Sequence, residues 1–213
     1  MKIVSVNVGL PRPVEWRGRR IMTGIFKEPI SGSVAVRRLN LDGDRQADLS
    51  VHGGVHKAVY AYPSEHYPFW RQELNRSDLP WGAFGENLTT EGWWEDEIHI
   101  GDRFRAGTAE FIVTQPRTPC FKLALKFDLD DIIDEFLQTA RPGFYLAVAK
   151  EGELAVGDAF ERIHEDERHV TVTDIVHLYA DRHARPNPDL LRRVVEVEAL
   201  PAAWREHFRK RLG

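Results

Sequence analysis

The chain has 213 residues, 42% of them hydrophobic and 29% charged, with a net charge of −4 at pH 7. That length can build one good core with a small appendage, and the charge argues against a general nucleic-acid binder. The apolar runs are too short to span a bilayer, and the N-terminal MKIVSVNVGLPRP lacks the apolar block and cleavage site of a signal peptide. A cytoplasmic protein is therefore expected, in keeping with a single cysteine, which allows no internal disulfide.

In chain order, KIVSVNVG alternates like a strand. GSVAVRRLNL (32–41) does so loosely before the turn signal DGD. KAVYAYP (57–63), EIHIGDRFRAG (97–107) and AEFIVTQP (109–116) are further strand candidates. The stretch 141–163 reads as two or three more strands joined by glycine turns. Ser64 is the expected cap of a helix over EHYPFWRQEL, with Pro68 tolerated near its first turn. Asp128 is the expected N-cap of a helix through LDDIIDEFLQTA.

From about residue 168 the texture becomes helical. Thr171 and Asp174 have capping-box spacing, Asn187 and Pro188 make a cap and first helical position, and PAAWREHFRKRL follows. The expectation is a mainly β (α+β) domain over residues 1–165, barrel-like, with a three-helix appendage over 166–213.

Charge is unevenly spread. Residues 1–60 hold ten Lys/Arg against five Asp/Glu, and the rest hold nineteen against twenty-eight. A basic first third suits either an anion site or a solvated face.

Chemistry concentrates in three places. In TQPRTPCFKLA, Pro116 and Pro119 restrict the backbone around Cys120, while Arg117 and Lys122 favour the thiolate, the form that attacks or ligates. A lone cysteine also serves as a small buried hydrophobe. With no CxxC, dithiol redox chemistry is excluded, and the glycines between His52 and His56 disfavour a helical zinc pair. A thiolate for a soft metal or metal cofactor remains, as does a cysteine hydrolase.

In LDGDRQADLSVHGGVHKAVYAYPSEHYPFW (41–70), Gly43, Gly53 and Gly54 allow close backbone approach to an anion, with Arg45, His52, His56 and Lys57 as donors. FGENLTTEG (84–92) places Glu86 and Asn87 beside Gly85. Taken alone, Asn87 reads as a turn residue.

These segments, with IGDRF, occur in one order along nearly the whole chain, and together they resemble the MOSC domain family, in particular its YiiM-type members with a C-terminal three-helix domain. The resemblance implies a β-barrel fold and a molybdenum cofactor, a pyranopterin with an anionic phosphate end. Its hallmark is a single cysteine, here Cys120, as metal ligand. Arg45, Lys57, Arg117 and Lys122 are then expected to meet anionic groups of the cofactor, with His52, Asn87 and the backbone of Gly53 and Gly54 supplying hydrogen bonds.

The implied activity is reduction of N-hydroxylated compounds such as hydroxylaminopurine base analogues. A non-catalytic carrier of the cofactor or of sulfur is the alternative. His52, His66 and Glu86 are the candidate proton donors. Tyr62, Tyr67 and Trp70 suit either a substrate stack or the core. One cysteine cannot hold an iron–sulfur cluster, so electrons are expected from a separate redox protein. The partners are thus that donor and a small N-hydroxy substrate, with no nucleic acid or membrane. A homodimer is compatible with the sequence.

Overall fold

The computed structural model describes residues 1–49, 53–180 and 187–212. The first alternating segment forms β1 (Lys2–Val8), with Ile3 and Val6 fully buried. An unforeseen hairpin follows, β2 (Arg12–Trp16) with β3 (Arg19–Thr23). Its turn residues Arg17 and Gly18 both have positive φ, the conformation a two-residue hairpin turn prefers.

β4 (Glu28–Pro29) precedes β5 (Ser33–Arg37) and β6 (Asn40–Leu41), which split the expected strand of 32–41 at a turn. β7 (Val59–Pro63) leads into a 3-10 turn and α1 (Tyr67–Glu73), with Pro68 in its first turn. Ser64 does not cap this helix: its hydroxyl bonds to Glu65 instead.

β8 (Leu88–Glu91), β9 (Arg103–Ala106) and β10 (Ala109–Pro116) follow. Of EIHIGDRFRAG only the second half is strand, since residues 97–102 form turns around the buried Asp102. α2 (Phe121–Phe127) begins directly after Cys120. Asp128 is not the N-cap expected of it. It ends α2 in a left-handed conformation, φ 52°, and α3 (Ile132–Gln138) starts after Asp131. The acidic run thus spans a helix break rather than one helix start.

β11 (Phe144–Lys150), β12 (Gly152–Ala155) and β13 (Glu161–His164) supply the three strands of 141–163. The last helices are α4 (Val172–Ala180), α5 (Pro188–Glu196) and α6 (Ala202–Arg209). Both expected caps form. Asp174 N donates to Thr171 Oγ1 while Thr171 N donates to Asp174 Oδ2, and Asn187 accepts from Asp189 N.

The fold is mixed α+β. Eight strands form one sheet in the order β13-β9-β10-β11-β7-β8-β1-β4, beside a three-stranded sheet β12-β5-β6. β7 and β8 pair in parallel, joined through α1, while the other ladders are antiparallel. The barrel expected from the sequence is not closed. The start of β1 meets the segment before β13 at an isolated Lys2–Ala159 bridge, with backbone hydrogen bonds from Ile3 N to Asp158 O, Gly157 N to Ile3 O and Phe160 N to Met1 O. The chain turns at Gly157 just before this bridge, and β13 is bulged between Arg162 and His164. Among the described residues β13 and β1 form no ladder.

Two apolar clusters organise the interior. In the larger one, Val172, Ile175, Val194 and Phe208 of the C-terminal helices pack in the same cluster as Phe104, Phe111 and Leu146 of the sheet. Each such side chain contributes about 1.5–3 kcal/mol by burial. Tyr60, Tyr62, Tyr67, Trp70, Phe84 and Phe136 dominate the second cluster. Among the described residues no helix is long and apolar enough to cross a membrane.

Candidate cationic thiol cleft

A cleft enclosing about 630 Å³ of space, part of it continuous with solvent, gathers Cys120, Arg117, Lys122, Lys57, Arg45 and Lys27. The folding logic is local at each position. Cys120 is half-buried in extended backbone between the end of β10 and α2, and its carbonyl accepts from Leu123 N. Arg117 is the first residue after β10. Lys57 closes the 3-10 turn that follows Gly54, whose φ of 89° is open to glycine at little cost. Arg45 follows the Gly43 turn, and Thr23 at the end of β3 joins the lining with Gly24 and Ile25.

Arg117 is the most unusual member. The residue is only 7% exposed, and its guanidinium lies over the rings of Tyr60 and Phe136, 5.1 and 5.2 Å from their centroids. Its Nη1 is buried with no hydrogen-bond partner. Burial works against this charge, but Tyr60, Tyr145 and Cys120 outweigh it and hold the pKa above its ordinary value. Burial in turn pushes the Tyr60 and Tyr145 phenols up, opposed by Arg117. Burial lowers the Lys57 pKa, with Cys120 acting in the opposite sense. Lys27 is ion-paired to the buried Asp44, which also accepts from Gly9 N and from Asn87 Nδ2.

The structure sorts the sequence candidates. Arg45, Lys57, Asn87, Arg117, Cys120 and Lys122 share the cleft. The amide of Asn87, however, is engaged internally: Oδ1 accepts from Tyr60 N, and Nδ2 donates to Asp44 and Asn7 O. Its contribution is to hold the wall. Gly53 and Gly54 lie outside the lining, and Gly54 O accepts from Lys57 N at 3.0 Å. His52 lies outside the described residues.

His66 and Glu86 do not line the cleft. His66 Nε2 bonds to both oxygens of Glu95, 2.9 and 2.8 Å away in the interior. Glu86 is fully buried and accepts from Gly82 N, Phe84 N, Thr89 Oγ1 and the Tyr67 hydroxyl. Tyr62, Tyr67 and Trp70 are fully buried core residues, Trp70 Nε1 donating to Tyr62 OH at 2.7 Å.

A carboxylate that serves four donors is a fold element. Glu86→Ala strands all of them, and we expect a loss of about 3 kcal/mol, hence a melting temperature lower by roughly 6–12 °C. A thermal shift under 2 °C, roughly half a kcal/mol, would show that these bonds contribute little.

Lys27, Tyr60 and Tyr145 escaped the sequence reading. Lys27 is a lone cation amid IFKEP, and the tyrosines sit in strand patterns indistinguishable from core.

Behind this wall, Lys126 of α2 donates to Gly82 O at 2.6 Å and Ile25 O at 3.1 Å. Burial pushes its pKa from 10.5 down to about 7. Glu86 resists the fall, while Arg117, Lys27 and Arg12 add to it. The folded chain therefore binds this proton less readily than the unfolded chain. The resulting destabilisation is full below about pH 7 and fades as pH rises toward 10.5. Relative to Lys126→Met, wild-type stability should rise by up to about 1.4 kcal/mol per pH unit from about pH 7 to 9 in urea titrations. A difference independent of pH would contradict this environment.

These features define a class: an α+β protein whose only thiol and several cations face one cleft. The chain belongs to the MOSC domain family, whose profile matches residues 48–161. A second profile, the YiiM-like 3-alpha helix domain, matches residues 170–212 and places the chain with the YiiM-type members. It is 41% identical over 212 residues to the Bacillus subtilis (strain 168) protein YflK, covering 98% of this chain and 93% of that one. The crystal structure of YiiM from Geobacillus stearothermophilus superposes with a TM-score of 0.81 at 37% identity, covering 100% of this chain and 99% of that one. A protein named "Reductase" from Gibberella moniliformis is 36% identical over 144 residues, 66% of this chain but 26% of that protein.

Proposed function

We propose that this protein binds the molybdenum cofactor with Cys120 as metal ligand and reduces N-hydroxylated compounds, hydroxylaminopurine bases among them. Membership of the MOSC family supports the cofactor class, and the reductase-named relative supports the reaction class. The observation that carries the reading is the buried Arg117 Nη1, left without a partner beside Cys120 in a cationic cleft. An unsatisfied buried donor costs about 1–3 kcal/mol, a cost that an anionic ligand removes. The residues present therefore fit a group with a soft metal centre and a phosphate end.

When bound, this group would supply a two-electron couple, so that R–NHOH, two electrons and two protons give R–NH2 and water. The protein's own work is binding, orientation and proton supply. Cys120 Sγ provides the soft donor, while Arg117, Lys122 and Arg45 offset the anionic charge. With His66 and Glu86 spent in the interior, Lys57 Nζ is the proton source we favour. It lines the cleft and burial lowers its pKa, which eases release of the proton. Electrons come from a separate redox protein, because one cysteine cannot hold an iron–sulfur cluster.

The test is expression in a host that makes the cofactor, followed by metal analysis and turnover. Stoichiometric molybdenum, with reduction of an N-hydroxylated purine by a chemical reductant but not by NADH alone, is the expected result. Persulfide on Cys120 without molybdenum would favour the sulfur-carrier alternative and overturn the reductase.

A further inference from the structure

On the far edge of the sheet, three ligand-bearing side chains meet that the proposed reaction does not use. His99 lies in the turns before β9, and Glu165 and His169 lie in the linker between β13 and α4. One donor atom from each, two imidazole nitrogens and a carboxylate oxygen, lies within 4.8 Å of the others. Glu165 Oε1 is 3.5 Å from His99 Nδ1 and 3.3 Å from His169 Nδ1. Zinc held at its usual N and O distances has ligand–ligand edges of about 3.3–3.5 Å, so two edges of a tetrahedron are already in place.

The same distances are long for hydrogen bonds. His99 Nδ1 also lies 3.5 Å from Asp102 Oδ1, and it is buried with no hydrogen-bond partner although two carboxylates are near.

We propose that His99, Glu165 and His169 form a site for a divalent transition-metal ion, zinc by ligand type, with water completing the tetrahedron. Two imidazoles and a carboxylate with an open fourth position are a set zinc accepts. The surroundings support the ligands. Buried Asp102 accepts from His99 N and Asp166 N, which fixes the two approaching segments. Arg162 holds Glu165 Oε2 at 3.4 Å, leaving Oε1 for a single metal bond. His169 has a left-handed backbone, φ 46°, and its carbonyl accepts from Arg193 of α5 at 3.1 Å. A bound ion would thus pin the linker, and with it the C-terminal helices, to the body of the protein.

The test uses Cys120→Ser protein, so that the thiol cannot take up metal, stripped by chelator and titrated with Zn2+ by calorimetry. One Zn2+ per chain is expected. His169→Ala and Glu165→Gln should each weaken binding at least about tenfold, since even outer partners of metal ligands are worth 10–100-fold. Both positions are largely solvent-exposed, at 59% and 44% of their side chains, so the variants should fold, as an unchanged far-UV circular dichroism spectrum would verify. Co2+ should give tetrahedral d–d bands that His169→Ala abolishes, and the exposed His177→Ala should leave them unaltered. Absence of saturable one-to-one binding, or affinity unchanged from that of the parent protein in both ligand variants, overturns the site.

Discussion

Cys120→Ser is expected to lower turnover of an N-hydroxylated purine by at least about a hundredfold while moving the melting temperature by no more than about 2 °C. Partners merely behind a metal ligand are worth 10–100-fold, so loss of the ligand itself should cost no less. A serine hydroxyl is hard and remains protonated near neutral pH, whereas a thiolate is a soft donor. The fold should tolerate the change because the side chains are close in size and Cys120 is only half-buried at the start of α2. Surface-like substitutions of this kind stay within about 0.5 kcal/mol, roughly 2 °C for a chain this long. Denaturant melts and steady-state rates on the same preparations check both halves. Full activity in the serine variant would remove Cys120 from the ligand role.

Arg117→Met should have the second largest effect, again on binding far more than on folding. Removing one partner of a buried charge pair costs about 2–5 kcal/mol of binding, so cofactor affinity should fall by about thirtyfold to several thousandfold, read as molybdenum content. Arg117→Lys should not restore it, because a point charge cannot reproduce the planar fork of donors. Without cofactor, the variant forfeits two ring contacts, worth about 0.5–2 kcal/mol each. It also removes an unsatisfied Nη1 that costs about 1–3 kcal/mol. These nearly cancel, so apo-protein stability should change by no more than about 1 kcal/mol. Unchanged molybdenum content with a large loss of stability would make Arg117 a packing residue only.

Much of the frame is legible in the sequence because it depends on short-range pattern. Period-two alternation gives β1, short strand-like runs bounded by turn residues give β7, β10 and β11, and the Thr171–Asp174 and Asn187 caps locate α4 and α5. The failures share one cause. The β2–β3 hairpin hides behind Pro11 and Pro13 and turns on Arg17–Gly18, which local propensity does not mark. Asp128 satisfies the chemistry of an N-cap, yet tertiary packing uses it to end α2. Whether a sheet closes depends on how its first and last strands meet, and no local window contains both.

The cleft divides the same way. The proline-framed Cys120, Arg117 and Lys122 lie within six residues, and that segment draws attention unaided. The Lys27–Asp44 pair, the Arg117–Tyr60 contact and the bond from the Tyr67 hydroxyl to the buried Glu86 join distant segments. Glu86 and His66 were legible as titratable groups, but their burial was not. A carboxylate serving backbone N–H groups in the core has the same one-letter code as a proton donor in a cleft.

The most direct test is X-ray absorption at the molybdenum edge, comparing wild-type protein with Cys120→Ser, both loaded with cofactor. The account predicts one sulfur fewer around the metal in the serine variant. Equal sulfur counts in the two proteins would contradict it.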